Sequence, residues 1–155
     1  MNIFVLDSDL KKCAAYHVDK HVIKMILEYG QLLSTTVRMT TEHDIGYKIT
    51  HKNHPCTVWA RESLSNWKWL RELSEKLNDE YKFRYNKSVN HKSYDMIKTL
   101  PLPNIPDMGL TPFAMAMPTY CKSENPIDSY RKYYNMEKQS IHTWKNRETP
   151  EWIIN

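Results

Sequence analysis

The chain has 155 residues, of which 41% are hydrophobic, and carries a formal net charge of +4. That length suits a single domain over residues 1–155, burying about two-thirds of the surface that the unfolded chain exposes, and argues against a second domain. No run of about 18 apolar residues is available to span a membrane, and the start of the chain lacks the basic and apolar regions of a secretory signal, so a cytoplasmic protein with no membrane partner is expected.

In chain order, Ile3 to Leu6 are too few for a helix and predict a short extended arm. Ser8 or Asp9 could then cap a first helix running to about Arg38. On such a helix His17, His21, Lys24, Glu28 and Gln31 share one narrow arc, while Ala14, Val18, Val22, Met25, Tyr29 and Leu33 fill the adjacent one. A solvated face would mix both charge signs and carry several glutamates. Two imidazoles, an amine and a single carboxylate beside an apolar remainder form a chemical stripe instead.

Residues 40–55 lack a clear period, and Pro55 precedes a second helix in which Trp59, Asn66, Leu70, Leu73, Leu77 and Tyr81 share a face as far as about Asn86. Pro101, Pro103, Pro106, Pro112, Pro118 and Pro126, with Gly109, predict a long ordered loop with at most a turn around 113–117. Asn125-Pro126 has the form of a helix start, and Ile127, Tyr130, Tyr134, Lys138 and Ile141 predict a third helix to about Trp144. The expected fold is all-α: a single compact domain of three principal helices, with a short extended N-terminal arm and a long proline-rich ordered loop.

Three readings of these residues compete. Basic and aromatic residues interleave in Trp67-Lys68-Trp69-Leu70-Arg71, Tyr81-Lys82-Phe83-Arg84-Tyr85 and Tyr130-Arg131-Lys132-Tyr133-Tyr134. That pattern pairs phosphate-binding charge with rings that stack on bases, although amphipathic helices with aromatic cores produce it too. Such a surface could serve a non-catalytic nucleic-acid-binding protein. His17 and His21 at i and i+4 could instead hold a metal with His51, His54 or Cys56, as in a small hydrolase. No HExxH or tight His/Asp cluster supports a metal, and Cys13, Cys56 and Cys121, odd in number and far apart, suggest reduced thiols. Glu28 could simply pair with Lys24 one turn away.

Taken together, Asp19-Lys20-His21 followed by Glu28 seven residues after His21, the segment Trp69-Leu70-Arg71 through Tyr85-Asn86, and Ser129-Tyr130-Arg131-Lys132-Tyr133-Tyr134-Asn135 resemble a family. It is the phage endonuclease V type of pyrimidine dimer DNA glycosylase and abasic lyase, an all-α protein of similar length. There a short arm leads to a helix bearing Asp-Gln-His, with the catalytic glutamate at that same spacing. Two positions differ, because Leu27 and Gln31 stand where the family has arginines that hold the lesion strand.

The resemblance implies an enzyme that acts on damaged or modified bases in double-stranded DNA, as a monomer and without metal or organic cofactor. The family's nucleophile is the α-amine of its first mature residue. Asn2 is too bulky a neighbour for efficient removal of the initiator, so Met1 is expected to remain and to supply that amine. An α-amine ordinarily titrates near 7.7–8.0 and a lysine near 10.4, which gives the α-amine roughly 300-fold more neutral form at pH 7. Met1, Glu28 and His21 are the expected catalytic residues. Lys20, Lys24, His17, Gln31, Arg131, Lys132, Tyr130 and Tyr133 are the expected DNA contacts.

Overall fold

The computed structural model describes residues 1–154, which contain six α-helices and, among the described residues, no strand. The arm at residues 2–6 is buried along its length, with Ile3, Phe4, Val5 and Leu6 each 3% exposed or less. An extended segment buried without a sheet must find other partners for its backbone. Side chains supply them: Ile3 N–H donates to Asn2 Oδ1, Phe4 N–H to the Tyr29 hydroxyl, and Leu6 N–H to Cys13 Sγ. The Cys13 thiol in turn donates to Phe4 O, and Arg131 Nε donates to Leu6 O.

The single first helix expected to Arg38 is two helices, α1 (Leu10–Tyr16) and α2 (Asp19–Thr40), separated by His17 and Val18 in extended conformation. Asp9 caps α1 by accepting from Lys12 N–H. The His17 ring occupies the carbonyl of Cys13 at 2.7 Å, Trp144 Nε1 donates to Tyr16 O, and the Ala15 and His17 carbonyls are taken by Arg84. Arg84 is fully buried and donates to Ala15 O, His17 O, Asp19 Oδ1 and Glu80 Oε1. One guanidinium thus closes the end of α1, meets the first carboxylate of α2 and ties both to a later helix. Replacing it with Met keeps most of the stem but leaves the Ala15 and His17 carbonyls without their donor. It also removes the buried cation from Glu80, which keeps Arg147, and from Asp19, which keeps the Lys145 N–H. Arg84→Met is therefore expected to cost about 3–5 kcal/mol of stability, read from the urea midpoint.

The second expected helix is likewise broken, into α3 (Pro55–Glu62) and α4 (Leu64–Arg84), at the extended residue Ser63. The loop over residues 101–125 fastens this break. Ser63 Oγ donates to Gly109 O and accepts from Met108 N–H, and Leu64 N–H reaches Pro106 O. Buried Asn66 donates to Trp59 O and Thr111 Oγ1 and accepts from Thr111 N–H, which explains a polar residue on an apolar face.

A short α5 (Lys92–Ile97), unexpected from the sequence, packs on α2 and α4. In the loop the turn expected at 113–117 falls instead at the 3-10 turn Thr119–Cys121. Asn125 caps α6 (Pro126–Glu137) as expected, but the helix ends at Glu137 and gives way to a 3-10 turn, Gln139–Ile141, rather than continuing to Trp144. No helix among the described residues is long and apolar enough to cross a membrane.

Candidate active site

The arm ends against α2. Met1 N lies 3.2 Å from Glu28 Oε1, and the side chains of Met1 and Glu28 are only 4% and 11% exposed. Lys24, one turn before, places Nζ 3.9 Å from Glu28 Oε2. The Met1–Glu28 pair opens into a cavity of about 110 Å³ whose walls are Phe4 and His21 on one side and Tyr133 and Lys138, from α6 and its C-terminal end, on the other.

The amine owes its position to Asn2, which the sequence marked only as a bulky neighbour of the initiator. The Asn2 side chain is held from three elements: its Nδ2 donates to Ala116 O in the proline-rich loop, and its Oδ1 accepts from Ile3 N–H at 2.8 Å. The Tyr130 hydroxyl on α6 lies 2.9 Å from the same oxygen, and the Cys56 thiol on α3 points to it at 3.7 Å. A polar residue inside an otherwise apolar arm was the available signal.

His21 is buried, stacks on Phe4 with ring centroids 4.3 Å apart, and meets the Tyr134 hydroxyl through Nδ1 at 2.7 Å. The Tyr134 hydroxyl accepts from Val18 N–H and meets no acceptor other than His21 Nδ1 among the described residues, which assigns its proton to Nδ1 and places the ring hydrogen on Nε2. Burial, reinforced by His17, Lys138 and Lys24, pushes His21 down to about 3. It is a neutral donor across the physiological range rather than a proton shuttle.

The structure removes His17 and Tyr130 from the expected DNA contacts. His17 has no exposed surface. Its Nδ1 must donate to the Cys13 carbonyl, leaving Nε2 to face the Tyr29 hydroxyl at 3.4 Å. Tyr130 is equally buried and spends its hydroxyl between Asn2 Oδ1 and Ala114 O. Arg131 is committed to Leu6 O and Asp7, and with Lys132 it lines a different groove beside Trp152. Lys20, Lys24 and Lys132 are exposed, Gln31 is half-buried, and Leu27, which precedes Glu28 in the chain, is 40% exposed. Tyr133, half-buried, stays on the cavity wall.

The histidines of the metal reading are dispersed into structural tasks. His54 Nδ1 accepts from Cys56 N–H as the cap of α3, and no group of three His, Cys, Asp or Glu converges among the described residues. Burial raises the Cys56 thiol to about 11, so it is not a ready nucleophile.

Burial also holds His17 at about 4, down from its ordinary 6.5. The unfolded chain binds that proton first on acidification, so this contribution to stability is complete above pH 6.5 and is lost as pH falls from 6.5 toward 4. Acidification to pH 4 is expected to remove on the order of 3 kcal/mol through His17, measurable as a falling urea midpoint.

Comparison with protein families gives a match to a model described as pyrimidine dimer DNA glycosylase over residues 1–93, more than half of the 155. The matched span contains the arm, Met1, His21, Lys24 and Glu28 and stops before α6. No curated protein and no solved structure matches the chain.

Proposed function

The chain belongs to the pyrimidine dimer DNA glycosylase family, and from that membership we propose that it is a monomeric glycosylase with abasic-site lyase activity on double-stranded DNA, working inside the cell. Its nucleophile is the Met1 α-amine and its essential carboxylate is Glu28. The observation that carries this reading is the 3.2 Å approach of Met1 N to Glu28 Oε1 at the wall of a cavity. A buried arm anchored by side chains is a costly way to place a chain terminus, and it is explained if the terminus does chemistry.

In this reading the amine attacks the sugar C1′, the C1′–N bond to the base breaks, and the opened sugar becomes an iminium cation. Glu28 stabilises that cation and takes the C2′ proton. His21, fixed as an Nε2–H donor, hydrogen-bonds an oxygen of the sugar-phosphate. No metal or organic cofactor enters any step. The cavity, at about 110 Å³, suits a sugar edge rather than a drug-sized ligand, for which about 300 Å³ is a lower bound. The modified nucleotide is therefore met at its sugar, and leaving the helical stack is cheapest where damage has already weakened it. Lys20 and Lys24 bring charge to the lesion strand where Leu27 and Gln31 bring none.

The test is a duplex carrying one cyclobutane thymine dimer, incubated with purified protein. Strand scission at the dimer supports the proposal. Salt-sensitive binding with no scission of either dimer or abasic duplex would contradict it and favour a non-catalytic binding module.

A further inference from the structure

The cavity holds one cation that the steps above leave without a task. Lys138 continues the i, i+4 row of Tyr130 and Tyr134, both fully buried, and so turns inward at the end of α6. Its Nζ stands 5.0 Å from the centre of the Tyr133 ring, and its side chain lines the same wall as Met1 and Glu28. It makes no ion pair among the described residues, whereas Lys24 approaches Glu28. Three amines therefore face one carboxylate. When Met1 becomes an iminium, Glu28 answers that charge, and a cation remains for which the described residues provide no anion within ion-pair distance.

A lysine closing a helix ordinarily answers the helix dipole from the surface. Here the side chain is half-buried on an aromatic ring at the cavity wall. The anion that the reaction brings there is phosphate. We propose that Lys138 is a catalytic residue of strand cleavage, binding the phosphate on the 3′ side of the attacked sugar and stabilising the charge it gains on leaving. This rests on the N-terminal-amine reading given above.

The step balances. The C2′–H electron pair forms the C2′=C3′ double bond as Glu28 takes the proton. The C3′–O3′ bond breaks with its electron pair on oxygen, and a phosphodiester monoanion becomes a phosphomonoester with a second negative charge. The ammonium meets that new charge without giving up its own proton. Because the charge is absent when the Schiff base forms, Lys138 contributes to elimination and not to attack.

The assignment is tested by single-turnover reaction with abasic-site duplex, following borohydride-trapped adduct and strand scission in the same samples. Lys138→Met keeps the aliphatic stem over Tyr133, and an unchanged melting temperature shows that it folds. The expected result is an undiminished adduct with scission slowed on the order of 100-fold, largely restored in Lys138→Arg. Scission at the wild-type rate, or adduct and scission lost in proportion, overturns the assignment while wild-type trapping leaves the amine mechanism standing. Absence of adduct with the wild-type protein overturns the amine mechanism, and this assignment with it.

Discussion

Glu28→Gln is expected to abolish strand cleavage while leaving the fold intact. The substitution keeps the shape of a side chain that is 11% exposed and wedged between the Met1 amine and Lys24. It removes the charge that would stabilise the iminium cation and the base that would take the C2′ proton. Loss of one preorganised electrostatic partner typically costs about 100- to 1,000-fold in rate, and in the proposed mechanism the same residue would also serve as base. Stability should change little, because the amide keeps the volume of the carboxylate and an oxygen that can still accept from the Met1 amine. Thermal unfolding and single-turnover scission check the two halves separately. Cleavage at the wild-type rate would sink the assigned role.

Acetylation of Met1, or extension of the chain by a single residue before it, is expected to eliminate both adduct formation and scission. The acetyl group removes the nucleophilic lone pair. It alters one charge in a protein of net charge +4, so binding should weaken by no more than one phosphate contact, about one unit in the slope of log affinity against log salt. A block on the amine therefore separates chemistry from binding in a way that substitutions at surface lysines do not. An acetylated protein that still cleaves would move the nucleophile to another amine of the cavity, Lys24 or Lys138.

Helical content and the arm were legible in the sequence because apolar periodicity reports burial directly. The breaks were not, for the same reason. Ala14 and Val22 are buried on either side of the interruption at His17 and Val18, and Val18 itself is fully buried, so the apolar period runs through it unchanged. What ends α1 is a ring bonded to its own preceding turn and an arginine from another helix, Arg84, neither of which alters a hydrophobic pattern. The break at Ser63 is set in the same way by loop residues more than forty positions away.

The interleaved aromatic and basic runs misled for a related reason. In Phe83-Arg84 the phenylalanine is 50% exposed and the arginine fully buried, the reverse of a stacking surface with charged edges. In Tyr130-Arg131-Lys132-Tyr133 the helix distributes the four residues around its axis. Tyr130 goes to the core, Arg131 to the arm, Lys132 to solvent, and Tyr133 to the cavity. The spacing from His21 to Glu28 was informative because two turns of α2 bring both to one face, where the arm delivers Met1. Asn2, legible only as a bulky neighbour of the initiator, and Lys138, legible only as part of a helical pattern, were not marked as site residues because their importance depends on elements far from them in the chain.

The claim that an N-terminal amine performs the chemistry is tested most directly by locating the bond. Protein incubated with abasic-site duplex in borohydride, digested and analysed by mass spectrometry should carry the reduced sugar on the Met1 α-nitrogen, in the N-terminal peptide. An adduct on Lys24 or Lys138, or no adduct at all, would contradict the account.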